Sequence, residues 1–103
     1  MIDLRTKDIA ALWTVFRRFP SVQEVRVFGS RALGSARRAS DLDVAITAPT
    51  ATPADWADLC DAIENAPLIY ELDIVRTDRT LNPHLKARIH HEGILLYPEK
   101  SAP

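Results

Sequence analysis

Two short runs of alternating apolar side chains constrain the fold of this chain more than any other feature. They occupy residues 25–28 and 41–46 and are rich in β-branched residues such as Val25 and Val27. Alternation with a period of two is typical of strands that bury one face of a sheet. We therefore predict two β-strands, the first of which ends at Gly29.

Apolar residues spaced by three and four positions predict a helix before the first strand. Ile9, Leu12, Trp13 and Phe16 have this spacing and would share one helix face. Pro20 would end the helix, because proline cannot donate the backbone hydrogen bond that a helix needs. The sheet is therefore expected to be covered by at least one amphipathic helix.

A second helix is predicted to begin near Pro53, because Thr52, Pro53 and Asp55 follow one another in the order typical of a helix start. This order supplies an N-cap, a first-turn proline and the acidic partner of a capping box. The face that this helix buries is predicted to contain Trp56, Leu59, Cys60 and Ile63.

A third strand is predicted over residues 68–75, which are again rich in apolar and β-branched side chains. Their alternation puts Leu72 and Ile74 on one face and Asp73 and Val75 on the other. One face of the sheet would therefore carry an acidic side chain in the middle of an apolar strand.

The last predicted elements are a helix and a short strand. Asn82 and Pro83 open the helix as cap and first residue, with Leu85 and Ile89 facing inward, and Gly93 fits a left-handed helix end. The final strand would cover residues 94–97. Residues 98–103 are expected to form a frayed tail.

Composition indicates one domain and argues against several functions. With 103 residues, 47% of them apolar, we expect one α/β (α+β) domain over residues 1–97, a small mixed sheet flanked by a single layer of core helices. Thirteen basic and fourteen acidic residues argue against direct nucleic-acid binding. No apolar run approaches the roughly 20 residues of a membrane helix. One cysteine and the absence of a signal-peptide pattern favour a cytoplasmic location.

The connection between the first two strands carries the residues best suited to catalysis. Gly29 and Ser30 follow the first strand, and after ten further residues Asp41 and Asp43 open the second. Because Asp41 and Asp43 are two positions apart, they leave one face of the strand with Cα atoms roughly 7 Å apart. Two such carboxylates suit a pair of magnesium ions, which prefer hard oxygen ligands.

The Gly29-Ser30 pair is a predicted phosphate-binding turn. Gly29 lets the backbone approach a phosphate closely, and Ser30 offers a hydroxyl group and a main-chain N–H at the start of a helical turn. Arg31 can add a positive charge at the same end. We expect this turn to hold the β- and γ-phosphates of a nucleotide.

Asp73 is the predicted third carboxylate of the site. It lies between Leu72 and Ile74, where an unpaired carboxylate costs free energy unless a cation or hydrogen bonds compensate. It would complete a metal site and accept the proton of an acceptor hydroxyl, with Glu71 as the reserve choice. The alternative is that Asp73 is an edge charge that discourages aggregation.

Gly29-Ser30, ten residues and Asp41-x-Asp43 together resemble the signature of the DNA polymerase beta-like nucleotidyltransferases. Gly34 and Ser40 agree with the form of this motif in the minimal nucleotidyltransferase (MNT) domains, whereas Leu33 stands where a polar residue is frequent. The resemblance extends over nearly the whole chain. It implies metal binding by Asp41, Asp43 and Asp73, and nucleotide binding by Gly29, Ser30, Arg31 and Ser40.

MNT domains of this size resemble the antitoxins of two-gene toxin–antitoxin pairs. The resemblance implies AMP transfer from ATP, assisted by two Mg²⁺ ions, to a tyrosine hydroxyl of a helical HEPN-type ribonuclease toxin. Antitoxin and toxin would form a hetero-oligomer. Two other functions stay open: non-catalytic neutralisation of the toxin by binding, and nucleotide transfer to a small molecule held by a separate subunit.

Overall fold

The computed structural model of the chain describes residues 2–34, 41–79 and 82–98. Its elements are α1 (Thr6–Arg17), β1 (Glu24–Phe28), α2 (Ser30–Leu33), β2 (Leu42–Thr47), α3 (Pro53–Glu64), β3 (Leu72–Arg76), α4 (Pro83–Glu92) and β4 (Ile94–Tyr97). The strands form one sheet in the order β3-β2-β1-β4. Strand β1 is antiparallel to both β2 and β4, and β2 is parallel to β3. The mixed sheet and the α/β (α+β) class are therefore as predicted.

Alternating residues of the strands build the main core on one face of the sheet. Val25 and Val27 of β1 are fully buried there against α1 and α3. Other fully or almost fully buried members of this core are Leu12, Phe16, Leu42, Val44, Ile46, Leu59 and Ile63. Helices α1 and α3 thus form the predicted layer of core helices.

A smaller apolar cluster lies on the second face of the sheet. Phe28, Ala45 and Ile89 are buried in it, with Val75 and Leu85 packed around them. Helix α4 therefore covers part of this second face, which the alternation of β2 and β3 makes the face of the acidic residues as well. The catalytic candidates lie beside α4 and not beneath the core helices.

The predicted helix starts agree with the structure. The Thr52 hydroxyl accepts the Asp55 N–H at 3.1 Å, and the Asp55 carboxylate accepts the Thr52 N–H at 3.0 Å. The Asn82 side chain caps α4 by accepting the N–H of His84 and Leu85. Both helix starts are thus capped by side chains that lie within three residues of the N–H groups they accept.

Two predictions about element ends were wrong. Strand β3 begins at Leu72, not at residue 68, because the chain turns first: the Leu68 N–H donates to the Ala66 carbonyl at 2.7 Å. Gly93 has φ −65° and ψ 130°, so it does not adopt the left-handed conformation. A side chain there would collide with the Ile89 carbonyl oxygen, which means that this position requires glycine for space.

Smaller shifts affect other boundaries. Strand β2 runs from Leu42, one residue after the predicted start, and α1 ends at Arg17, three residues before Pro20. On α3, Leu59 is buried whereas Cys60 is half-buried. Most of the predicted tail, residues 99–103, lies outside the described residues. Within the described ranges, every helix is too short or too polar to cross a membrane.

Candidate active site

The C-terminal end of β1 and the N-terminal ends of β2 and β3 lie side by side at the same end of the sheet. Phe28, the last residue of β1, pairs with Asp43 of β2, and Asp43 pairs with Asp73 of β3. Neighbouring strands lie about 4.8 Å apart, and paired residues project from the same face. The fold therefore places two of the three predicted metal ligands side by side, next to the Gly29-Ser30 turn.

The carboxylate of Asp43 lies in an environment that disfavours its charge. Burial raises the pKa of Asp43, and the negative charges of Asp73 and Asp41 raise it further, whereas the Arg88 guanidinium lowers it. Asp41 and Asp73 are both exposed, so their charges are better hydrated. A divalent cation would relieve the repulsion among these carboxylates.

The oxygen donors of Asp41, Asp43 and Asp73 suit magnesium chemically, because this ion prefers carboxylate and water ligands. Asp41 lies immediately before β2. In the described parts of the chain, however, no three acidic, histidine or cysteine side chains lie close enough together to hold a metal ion. Only Asp43 and Asp73 are paired across the strands, so binding of an ion by all three carboxylates stays a prediction.

Gly29 connects the predicted phosphate-binding turn to Asp43. It is buried and adopts φ 72° and ψ −154°, a conformation that is essentially restricted to glycine. A Cβ atom at this position would lie well inside van der Waals contact with Asp43 Oδ2. The Gly29 carbonyl accepts the N–H groups of Ala32 and Leu33, both at 3.0 Å, and so begins α2.

Ser30 and Arg31 have different environments although they are adjacent. Ser30 is the first residue of α2 and half-buried, whereas Arg31 is buried. The Arg31 guanidinium carbon lies 4.2 Å from the centroid of the Tyr70 ring, and Nη1 donates to the Asp3 carbonyl at 3.2 Å. These contacts tie the turn to Asp3 of the N-terminal segment and to Tyr70 before β3. The nucleotide contact of Arg31 stays a prediction.

Two further predicted residues have different outcomes. Ser40 lies outside the described residues, so its contact with nucleotide also stays a prediction. Glu71, the reserve choice for the third carboxylate, is exposed and lies just before β3. Its carbonyl accepts the Leu42 N–H at 2.8 Å, whereas the strand position paired with Asp43 belongs to Asp73.

The structure adds two charged residues that the sequence did not single out. The Gly29 N–H donates to Glu92 Oε1 at 3.2 Å, and Arg88 Nε lies 3.4 Å from Glu92 Oε2. Arg88 also lies over the Phe28 ring, at 5.7 Å from its centroid. The spacing of four residues could have predicted the ion pair on the helix. Nothing local could have predicted its place beside Gly29.

Known proteins share the sequence pattern and the fold of this chain. Residues 11–102 match the profile of the family described as Polymerase beta, Nucleotidyltransferase. A solved structure assigned as a minimal nucleotidyltransferase is 36% identical, with a TM-score of 0.66; the match covers 85% of this chain and 88% of that one. No curated protein matches the chain significantly.

Two toxin–antitoxin structures share the fold at lower identity. One is a toxin–antitoxin with AMP-PNP, 22% identical with a TM-score of 0.72, in a match covering 90% of this chain and 75% of that chain. The other is a tri-AMPylated HEPN toxin from Shewanella oneidensis in complex with its MNT antitoxin. Its match is 18% identical with a TM-score of 0.67, and covers 93% of this chain and 74% of that one.

Proposed function

Because the chain belongs to the polymerase beta family of nucleotidyltransferases, we propose that it transfers AMP from ATP to a hydroxyl group on a protein partner. One observation carries the proposal. Asp43 pairs with Asp73 across β2 and β3 while Gly29 packs against the Asp43 carboxylate. The residues proposed to bind metal and the turn proposed to bind phosphate therefore lie side by side.

In the proposed reaction, an acceptor oxygen attacks the α-phosphorus of ATP, the bond from that phosphorus to the bridging oxygen breaks, and pyrophosphate leaves. Asp41, Asp43 and Asp73 would hold two magnesium ions. Bound magnesium would supply activation of the attacking oxygen and neutralisation of the leaving pyrophosphate. Asp73, which is exposed on the acidic face, is the residue proposed to accept the hydroxyl proton.

The Gly29-Ser30 turn is proposed to hold the β- and γ-phosphates. Gly29 lacks a side chain and has its backbone at the carboxylate cluster, so phosphate oxygens can come close to both. Ser30 would contribute its hydroxyl group, with Arg31 and Ser40 as further nucleotide contacts. Holding the triphosphate in this way orients the α-phosphorus for attack.

The proposed partner is a helical HEPN-type toxin, and the proposed acceptor is a tyrosine hydroxyl on it. The complex of a tri-AMPylated HEPN toxin with an MNT antitoxin supports this choice. The exposure of Asp41 and Asp73 also supports it, because an acceptor on a large molecule must reach these side chains. Such a pair would act in the cytoplasm, where the toxin meets its RNA substrate.

The test is the intact mass of the partner encoded beside this chain, after co-expression with it. We expect the partner to gain one or more AMP masses with the wild-type chain. Asp41→Asn, Asp43→Asn and Asp73→Asn should abolish the gain, and Asp58→Asn, an exposed site on α3, is the matched control. An unmodified yet fully neutralised partner would instead support non-catalytic binding. Modification of a small molecule alone would support nucleotide transfer to a small molecule held by a separate subunit.

A further inference from the structure

Glu92, at the end of α4, contacts the phosphate-binding turn from outside the signature motif. We propose that it is a positioning residue that fixes the Gly29 backbone for nucleotide binding. The inference rests on the proposed function, because it assigns Glu92 a role in the same site. It concerns affinity for the nucleotide and not the chemical step.

Three contacts hold Gly29 in place. Its N–H donates to Glu92 Oε1 at 3.2 Å, its carbonyl accepts the N–H groups of Ala32 and Leu33, and its Cα lies against the carboxylate of Asp43. Glycine has no side chain whose packing could restrain its backbone. The hydrogen bond from the Gly29 N–H to Glu92 is the contact that orients the peptide group between Phe28 and Gly29, where the chain enters the turn.

Glu92 is itself held firmly enough to serve this purpose. It is the last residue of α4, its side chain is only 22% exposed, and Arg88 Nε lies 3.4 Å from its second carboxylate oxygen. Buried Ile89 anchors the same helix turn to the sheet. The carboxylate therefore extends from a rigid element and approaches the turn in a fixed direction.

Because Glu92 is charged, a charge effect and a positioning effect on nucleotide affinity have opposite directions. A carboxylate beside a triphosphate site repels the ligand, so a residue acting only through its charge would weaken nucleotide binding. Its removal would then tighten binding. A positioning role predicts the opposite, because loss of the acceptor frees the Gly29 peptide group to reorient away from the phosphates.

Three substitutions separate the role of Glu92 as a hydrogen-bond acceptor from the effect of its charge. Glu92→Gln keeps a side-chain oxygen in place without the charge, Glu92→Asp keeps the charge but withdraws the oxygen by one methylene, and Glu92→Ala removes both. Glu64→Ala is the matched control, since Glu64 is the exposed last residue of α3. The probe is ATP with Mg²⁺, titrated calorimetrically into the purified chain.

We expect Kd to rise about tenfold in Glu92→Ala and Glu92→Asp, as for loss of a hydrogen bond to a charged acceptor. Glu92→Gln and Glu64→Ala should bind as wild type or more tightly. Hydrogen exchange at the Gly29 amide, followed by NMR, should accelerate in the Ala and Asp variants alone. This second measurement requires no nucleotide.

Unchanged or tighter ATP binding by Glu92→Ala would overturn the inference while leaving the proposed function intact. Slow exchange at the Gly29 amide in that variant would overturn it as well. If Glu92→Ala does not fold, the contrast between Glu92→Gln and Glu92→Asp decides the matter. A wild-type chain that binds no ATP with Mg²⁺ would overturn the proposed function and the inference together.

Discussion

The backbone of Gly29 lies directly against the carboxylate of Asp43, so that a methyl group at position 29 would collide with Oδ2 of Asp43. Gly29, which shapes the predicted phosphate-binding turn, and Asp43, a predicted metal ligand, thus share one packing contact. Moving either one must displace the other. The two halves of the signature motif, although far apart in sequence, act as one structural unit.

This contact predicts an unequal effect of alanine at the two glycines with positive φ. Gly29→Ala combines an unfavourable backbone conformation, worth about 1–3 kcal/mol, with the collision at Asp43. Gly34→Ala has a similar φ of 75° but open space around the new methyl group, so it should cost only about 1–2 kcal/mol. Urea unfolding of the two variants measures the difference. Equal losses would show that the Asp43 contact is unimportant for stability.

Neutralising Asp43 should stabilise the metal-free protein. Burial and the neighbouring carboxylates raise the pKa of Asp43, so its charged form costs folding free energy near neutral pH. Asp43→Asn removes this cost and should raise Tm in the presence of a chelator. The advantage should shrink as the pH falls through the raised pKa and the wild-type side chain becomes neutral. A lower Tm for the variant at neutral pH would contradict this description of the site.

Asp8, a buried carboxylate in α1, stabilises the fold in its charged form, in contrast to Asp43. Hydrogen bonds from Arg5 hold the pKa of Asp8 at about 2, against an ordinary 3.8, and the Tyr70 hydroxyl donates to the same group at 2.8 Å. The stability from Asp8 is therefore present above its unfolded pKa and lost as the pH falls from about 4 to about 2. We expect a loss of about 1–2 kcal/mol over this range. Unfolding free energies of wild type and Asp8→Asn should converge there; parallel curves would contradict the assignment.

Arg31 is expected to be important for stability because its guanidinium is buried against Tyr70 and donates to Asp3. Lysine keeps the charge but cannot reproduce the planar stacking and the forked donors. Arg31→Lys should cost about 1–2 kcal/mol, the range for a desolvated cation–π contact. Arg17→Lys serves as the control, because the Arg17 side chain is exposed and its guanidinium carbon lies 5.8 Å from the centroid of the Trp13 ring. If both variants unfold at the same urea concentration as wild type, the Arg31 contacts do not stabilise the fold.

The sequence predicted what local periodicity determines. Alternation placed Asp73 on the opposite face from Leu72 and Ile74, and the structure confirms this arrangement through the two apolar clusters. The start of β3 and the conformation of Gly93 were missed because periodicity does not report turn geometry: the Leu68 N–H turns back to the Ala66 carbonyl, and Gly93 lies against the Ile89 carbonyl. Glu92 was missed for a different reason, since its partner Gly29 lies 63 positions away in sequence.

Asp41, Asp43 and Asp73 are proposed to bind paired divalent ions together, beside a nucleotide. Binding of Mn²⁺, followed by electron paramagnetic resonance in the presence of a non-hydrolysable ATP analogue, tests this proposal directly. We predict two bound ions per chain, and a loss of affinity greater than about 100-fold in Asp43→Asn, since residues that merely support a ligand cost 10–100-fold. Asp58→Asn should bind both ions normally. Failure of the wild-type chain to bind Mn²⁺, or undiminished binding by Asp43→Asn, would show that these three carboxylates do not form a metal site.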